Sequence, residues 1–168
     1  MTNLARRAKA VSIESGTSGD VLTNKGKYGL KAMTHLAAFP PGQMVPVMEI
    51  AQTQQIPKKF LDAILGELRN AGFVLSKMGK GGGYTLAREA ADIRVGDIIR
   101  AIDGPLAPLP CASRTRYRKC VDCHDEAACA VRLMMLEAQQ ALSSVLDHRT
   151  LADMAAASRW PAALSYDI

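Results

Sequence analysis

The sequence predicts a mainly α-helical fold with one small β-hairpin. Three observations carry that expectation. Apolar residues recur at helical spacing through successive segments of the chain. One stretch, residues 73–87, instead places two short β-prone runs around the glycine-rich turn GKGGG. Hydrophobic residues make up 48% of the chain but aromatics only 5%, so the core is fed by Leu, Ile, Met and Ala, as in small helical proteins.

In chain order, residues 1–20 are rich in Ser, Thr and Gly and read as a loose arm, without the apolar run of a secretory signal. Residues 23–39 place Tyr28, Leu30, Met33, Leu36 and Ala37 at helical spacing, and Pro40, Pro41 and Gly42 then break the helix. A short helix over 45–54 presents Val47, Ile50 and Ala51 on one face, and Gln55-Ile56-Pro57 forms a tight turn. A second helix over 57–73 opens on Pro57, a favoured first helical residue. It carries the apolar stripe Phe60, Leu61, Ile64 and Leu68, and Gly72 caps its end. Phe73–Leu75 and Tyr84–Leu86 are the strands of the hairpin. Residues 92–104 form another helix, with Val95, Ile98, Ile99 and Ile102 on one side, and PLAPLP is a stiff link after it. From Asp125 a long helix with a Leu/Met/Ala stripe follows, in which Met134 and Met135 are expected to fill core. A short helix over 151–159 and a tail close the chain.

Helix, short helix, turn, helix, hairpin is the order of a winged helix-turn-helix, whose second paired helix enters the DNA major groove. The division expected is a flexible arm over 1–20 and a winged helix-turn-helix over 21–90. A connecting helix, cysteine loop and dimerisation helix take 91–158, and a tail takes 159–168. The long apolar helix offers more surface than so small a chain can cover, which predicts a homodimer, and a two-fold operator on double-stranded DNA would match it.

Charge points the same way. Residues 25–80 hold eight Lys and Arg against three Asp and Glu, so the whole net charge of +5 lies in that segment. This is the footprint expected of nucleic-acid binding. The candidate DNA-binding residues are Lys25, Lys58 and Lys59 on the helices and Lys77, Lys80, Gly81 and Gly82 at the wing tip. Asp62 could accept from a cytosine amino group, though an exposed helix residue is the plainer reading. GKGGG is not a phosphate-cradling P-loop, because no helix follows it.

The four cysteines fall within nineteen positions, as Cys111-x8-Cys120-x2-Cys123-x5-Cys129. With no signal peptide and no run of about 18 apolar residues for a membrane span, the expected location is the cytoplasm, where such a cluster is metal-binding or redox-active. Four thiolates in one segment can hold an iron–sulfur cluster or a zinc ion, or work as a thiol–disulfide switch, or be inert. The nearby Arg114, Arg116, Arg118 and Lys119 are expected to favour thiolates. His124 is a further possible ligand. A C-x2-C oxidoreductase would need a βαβ context that is absent here, so no enzyme is expected.

LTNKGKYGLKAMTHLA, the segment from VPVMEIAQ through the GGGY wing, IRVGDIIRAIDG and the cysteine loop together resemble the Rrf2 superfamily of bacterial winged-helix transcription regulators. The resemblance spans residues 22 to about 155. It implies a homodimeric repressor that senses iron, nitric oxide or redox state through a 2Fe-2S or 4Fe-4S cluster. In cluster-binding relatives three cysteines hold the iron, and they align with Cys111, Cys123 and Cys129. Cys120 is extra, and Arg132 stands where some relatives carry a histidine ligand. Other relatives bind no cluster, so a thiol-switched or zinc-stabilised regulator of the same fold stays open.

Overall fold

The computed structural model describes residues 22–157. The expected arm over 1–20 and the tail over 159–168 lie outside the described residues. The elements are α1 (Asn24–Leu36), α2 (Val47–Gln54), α3 (Lys58–Asn70), β1 (Val74–Lys77), β2 (Gly83–Leu86), α4 (Val95–Ile102), α5 (Ala130–His148) and α6 (Leu151–Ala157). Short 3₁₀ turns sit at Ala90–Asp92 and Pro110–Ala112.

Local chemistry explains each boundary. Thr23 caps α1: its hydroxyl accepts the Gly26 N–H at 3.1 Å and donates to Asp103 Oδ1 at 2.6 Å. The turn between α2 and α3 passes through Gln55 in the left-handed region (φ 53°) and buries Ile56. Pro57 is the N-cap of α3, one position earlier than its expected place as the first helical residue. At the other end Gly72 (φ 78°) donates to Arg69 O, and the Phe73 N–H reaches Leu68 O at 2.9 Å. That pair of bonds stops the helix and aims the chain into β1.

β1 and β2 pair antiparallel, with Val74 opposite Leu86 and Lys77 opposite Gly83. A third segment joins them that periodicity did not reveal. Val45 exchanges both backbone hydrogen bonds with Tyr84, each at 2.9 Å, so the helix expected from residue 45 begins at Val47. Gly83 permits this approach, since a Cβ there would lie 2.2 Å from Val45 O.

One core joins the winged unit to α4 and α6. Met33, Ile50, Leu61, Ile64, Leu65, Leu68, Ile98 and Leu151 are fully buried in it. α4 packs on α1 so closely that a Cβ on Gly29 would meet Ile102 Cδ1 at 2.1 Å. Beyond α4 the Pro-rich link leads to the cysteine segment, and α5 returns along α4.

Two expectations about packing are corrected. Phe60 was placed in the buried stripe of α3 but is 61% exposed, because the inward face is already filled by Leu61, Ile64, Leu65 and Leu68. The long helix starts at Ala130 rather than near Asp125, because the Asp125 carboxylate bonds the Ala127 N–H at 2.9 Å and turns the chain there. Its Met134 is 59% exposed and does not fill the core of this chain.

Candidate functional site

Two surfaces carry chemistry. The first is the face formed by α3 and the wing. Lys58 and Lys59 open α3, and both are exposed. Lys58 Nζ lies 2.6 Å from Asp62 Oδ2, one turn along, so part of its charge is answered within the helix. Asp62 is thereby an ordinary exposed helix partner. Lys59 has no carboxylate partner among the described residues. Lys25 Nζ bonds Glu67 Oε2 at 2.7 Å, so part of its charge is answered there and α1 is tied to α3. Lys31, not singled out as a site residue, bonds the Gln54 carbonyl at the end of α2.

At the wing tip Lys77 and Lys80 are exposed on either side of Met78, which is 94% exposed. Gly81 (φ 74°) turns the tip, and a Cβ on Gly82 would meet Lys77 O at 2.3 Å. The tip therefore folds tightly on itself and projects its lysines outward. Phe60 and Met78, apolar and exposed beside these lysines, were missed. Strand and helix periodicity assigns apolar residues to the core, and nothing in the sequence distinguishes the exceptions.

The second surface is the cysteine segment. Cys111 is buried and Cys120, Cys123 and Cys129 are half-buried, all as free thiols. The structure brings them together in pairs: the Cys120 thiol lies by Cys111 and the Cys123 thiol by Cys129, while Cys123 Sγ donates to the Asp125 carbonyl at 3.6 Å. Cys129 is also the N-cap residue of α5. Arg132, on the first turn of α5, donates through Nε to the Cys111 carbonyl at 3.1 Å. The guanidinium thus clips the two ends of the segment together. Tyr117 closes the intervening loop by donating to Glu126 at 2.6 Å. His124 is exposed.

The expected electrostatics are reversed. The basic residues of the loop are exposed, and the Cys120 and Cys123 thiols feel the neighbouring sulfurs and acids instead. The hydrogen bond to Cys111, desolvation, and the charges of Cys111, Asp122 and Cys123 push the Cys120 thiol up to about 11. Desolvation, the bond to Cys129, and the charges of Cys129, Glu126 and Asp122 raise Cys123 as well. Among the described residues no three His, Cys, Asp or Glu side chains converge into a group that could hold a metal ion. The donor chemistry nevertheless suits a thiophilic centre, since crowded thiols resist ionising until a cation neutralises them.

A three-helix unit with a paired wing, an unpaired lysine on its projecting helix and two more at the wing tip defines the class: a winged-helix, DNA-binding regulator of transcription. The particular family follows from comparison with known proteins. Residues 22–157 match the Rrf2 family, described as an iron-dependent transcriptional regulator, and the chain belongs to it. An rrf2-like HTH-type transcriptional regulator of Rhodobacter capsulatus is 43% identical over 150 residues, covering 88% of this chain and all of that protein. The structure of CymR, the global cysteine regulator of B. subtilis, superposes with a TM-score of 0.67 at 33% identity, covering 81% of this chain and 96% of CymR. IscR of T. potens gives a TM-score of 0.63 at 34% identity, covering 82% and 87% of the two chains. Family and neighbours are regulators, so the chain is not an enzyme. No helix among the described residues is long and apolar enough to cross a membrane.

Proposed function

We propose that the chain is a cytoplasmic, homodimeric repressor that grips double-stranded operator DNA through α3 and the wing and senses iron, nitric oxide or redox state through its cysteine segment. The observation that carries the sensor is the placing of four thiols as two neighbouring pairs, with Cys120 and Cys123 raised, in a loop clipped to α5 by the Arg132–Cys111 bond. Cys111, Cys120, Cys123 and Cys129 would hold an iron–sulfur cluster, which when bound supplies the iron that reacts with the signal. The family's iron-dependent description supports this reading. The protein itself positions the sulfurs, shields Cys111 and links the segment to both α4 and α5.

Dimerisation is argued from α5. Its inward side mixes the polar Arg132, Gln139, Ser143 and Asp147 with Leu146, which packs on the core, while Val131, Met134, Ala138, Ala141 and Val145 form a stripe with 3-4-3-4 spacing. Of these, Val131, Met134 and Val145 are about 60% exposed, as the seam of a helix pair would be before its partner covers it. On the DNA side Lys59, Lys77 and Lys80 take phosphate or base edges, with Gly81 and Gly82 keeping the tip narrow.

A second reading is favoured by the pairing of the thiols. Cys111–Cys120 and Cys123–Cys129 could act as a cluster-free thiol switch, or hold zinc. One experiment separates these. The protein is purified without oxygen and its visible absorption, iron, sulfide and zinc are measured. Matched iron and sulfide in a brown protein supports the cluster. A colourless protein with zinc or with four titratable thiols sinks it and leaves the DNA function standing.

A further inference from the structure

We propose that the cavity between α4, the proline link and α5 binds a small metabolite bearing a carboxylate or phosphate group. Its volume is about 260 Å³, below the roughly 300–1,000 Å³ of sites for drug-sized ligands. That limits the occupant to a small molecule.

The cavity's floor is polar where a helix face turned inward is ordinarily apolar. Gln139 is the one buried residue of α5, at 7% exposure, and Ser113 is buried at 6%. Gln139 Nε2 donates to Ser143 Oγ at 2.8 Å, and Ser113 Oγ accepts the Arg116 N–H at 3.0 Å. In both contacts the hydroxyl acts as acceptor, so the protons of Ser113 and Ser143 are left to point at an occupant. Arg94, Arg114 and Thr115 also line the space, and neither arginine has a carboxylate partner among the described ion pairs. The two carboxylates in the wall are already answered. Asp147 takes both Arg100 nitrogens at 2.7 and 2.8 Å, and Asp97 lies 3.2 Å from the same guanidinium. What lines the cavity is therefore Arg94 and Arg114, neither bonded to a carboxylate although the charge of Arg94 reaches Asp147, and a set of hydroxyls, the equipment for an oxyanion.

The position gives such a ligand leverage. Ser113 follows Cys111 by two residues, Arg94 is the N-cap of α4, and Gln139 is midway along α5. An anion held there would fasten the start of the cysteine segment to both helices, whatever the cysteines carry.

The test uses the full chain. Calorimetric titration and thermal shift are recorded with inorganic phosphate, with citrate and with neutral glycerol. Saturable binding of phosphate or citrate, but not glycerol, is expected, and which of the two binds identifies the acidic group. Arg94→Ala and Arg114→Ala are surface changes that leave the core intact, and each is expected to weaken binding about tenfold. Lys59→Ala on the DNA face is expected to leave it unchanged. Absence of saturable binding by either anion overturns the proposal. So does binding that survives both arginine changes or is lost with Lys59→Ala.

Discussion

Replacing Asp147 by Asn removes one charge and almost no volume from the contact that joins α5 to α4. The carboxylate makes two bonds to Arg100, at 2.7 and 2.8 Å, and both side chains are about 30% exposed. Charge-assisted bonds contribute roughly 1.5–3 kcal/mol each when removed outright. Here the loss is smaller, because Asn still accepts one bond and Arg100 keeps Asp97 at 3.2 Å. A net cost of about 1–2 kcal/mol follows, or about 3–6 °C in melting temperature for a chain of this size. The pH dependence identifies the cause. The bond to Arg100 holds the Asp147 carboxyl below the usual carboxylate range. Its contribution is therefore complete above the unfolded value, near 4, and is lost as pH falls through the lower folded value. Denaturant melts of both proteins at matched concentration should differ by a constant amount from pH 8 to about 5, and the gap should close in stronger acid. Equal stability at pH 7 would refute the bridge, and a gap that persists at pH 2 would assign the effect to packing.

Other outcomes follow from the two surfaces. Lys59→Ala should weaken operator binding and lower the slope of log affinity against log salt by about one unit, measured by fluorescence anisotropy. Lys25→Ala, whose ammonium is engaged with Glu67, should change that slope less. In metal-free protein the alkylation rate of Cys120 should stay low at pH 8 and climb toward pH 11, since only the thiolate reacts and the thiol is held up to about 11. A rate that levels off by pH 9 in site-resolved mass spectrometry would contradict the thiol crowding. Met134→Asp should shift the protein to monomer in sedimentation experiments without lowering its helix content, because the side chain is exposed in the single chain.

Helix and hairpin were legible wherever one face of an element is apolar and its ends carry a stop signal. α3, ended by Gly72, and α4, with its Ile/Val stripe, are examples. Pairing across the chain was not legible. The Val45–Tyr84 bridge joins residues thirty-nine positions apart and leaves no periodic trace. Periodicity also misplaced Phe60, because α3 has more apolar residues than its inner face can take. At the cysteine segment the donors were readable by type, but their electrostatics were not. Counting nearby arginines suggested lowered thiols, whereas in the fold the sulfurs face one another and the acids. Arg132 was legible only as a replacement at the position where some relatives carry a histidine ligand, and the structure gives it its own work, on the Cys111 carbonyl.

α4 is fastened at both ends, to α1 through Asp103 and to α5 through Arg100. At its C-terminal end Asp103 takes the Thr23 N–H at 2.9 Å and the Thr23 hydroxyl at 2.6 Å, holding the start of α1. Nearer its start, Gly96 leaves room for Asp147: a Cβ there would lie 2.1 Å from Asp147 Oδ1 and 3.0 Å from Arg100 Nη1. Gly96→Ala should therefore destabilise the protein, although alanine is worth about 0.5–1 kcal/mol more than glycine inside a helix. Removing the obstruction reverses the sign. In an Asp147→Ala background the same Gly96→Ala change should be neutral or stabilising by up to that amount, and the difference between the two backgrounds is the coupling energy across α4 and α5. If Gly96→Ala costs the same in both backgrounds, Asp147 does not occupy that space. The rigid path from α5 through α4 to α1 would then lose its central joint.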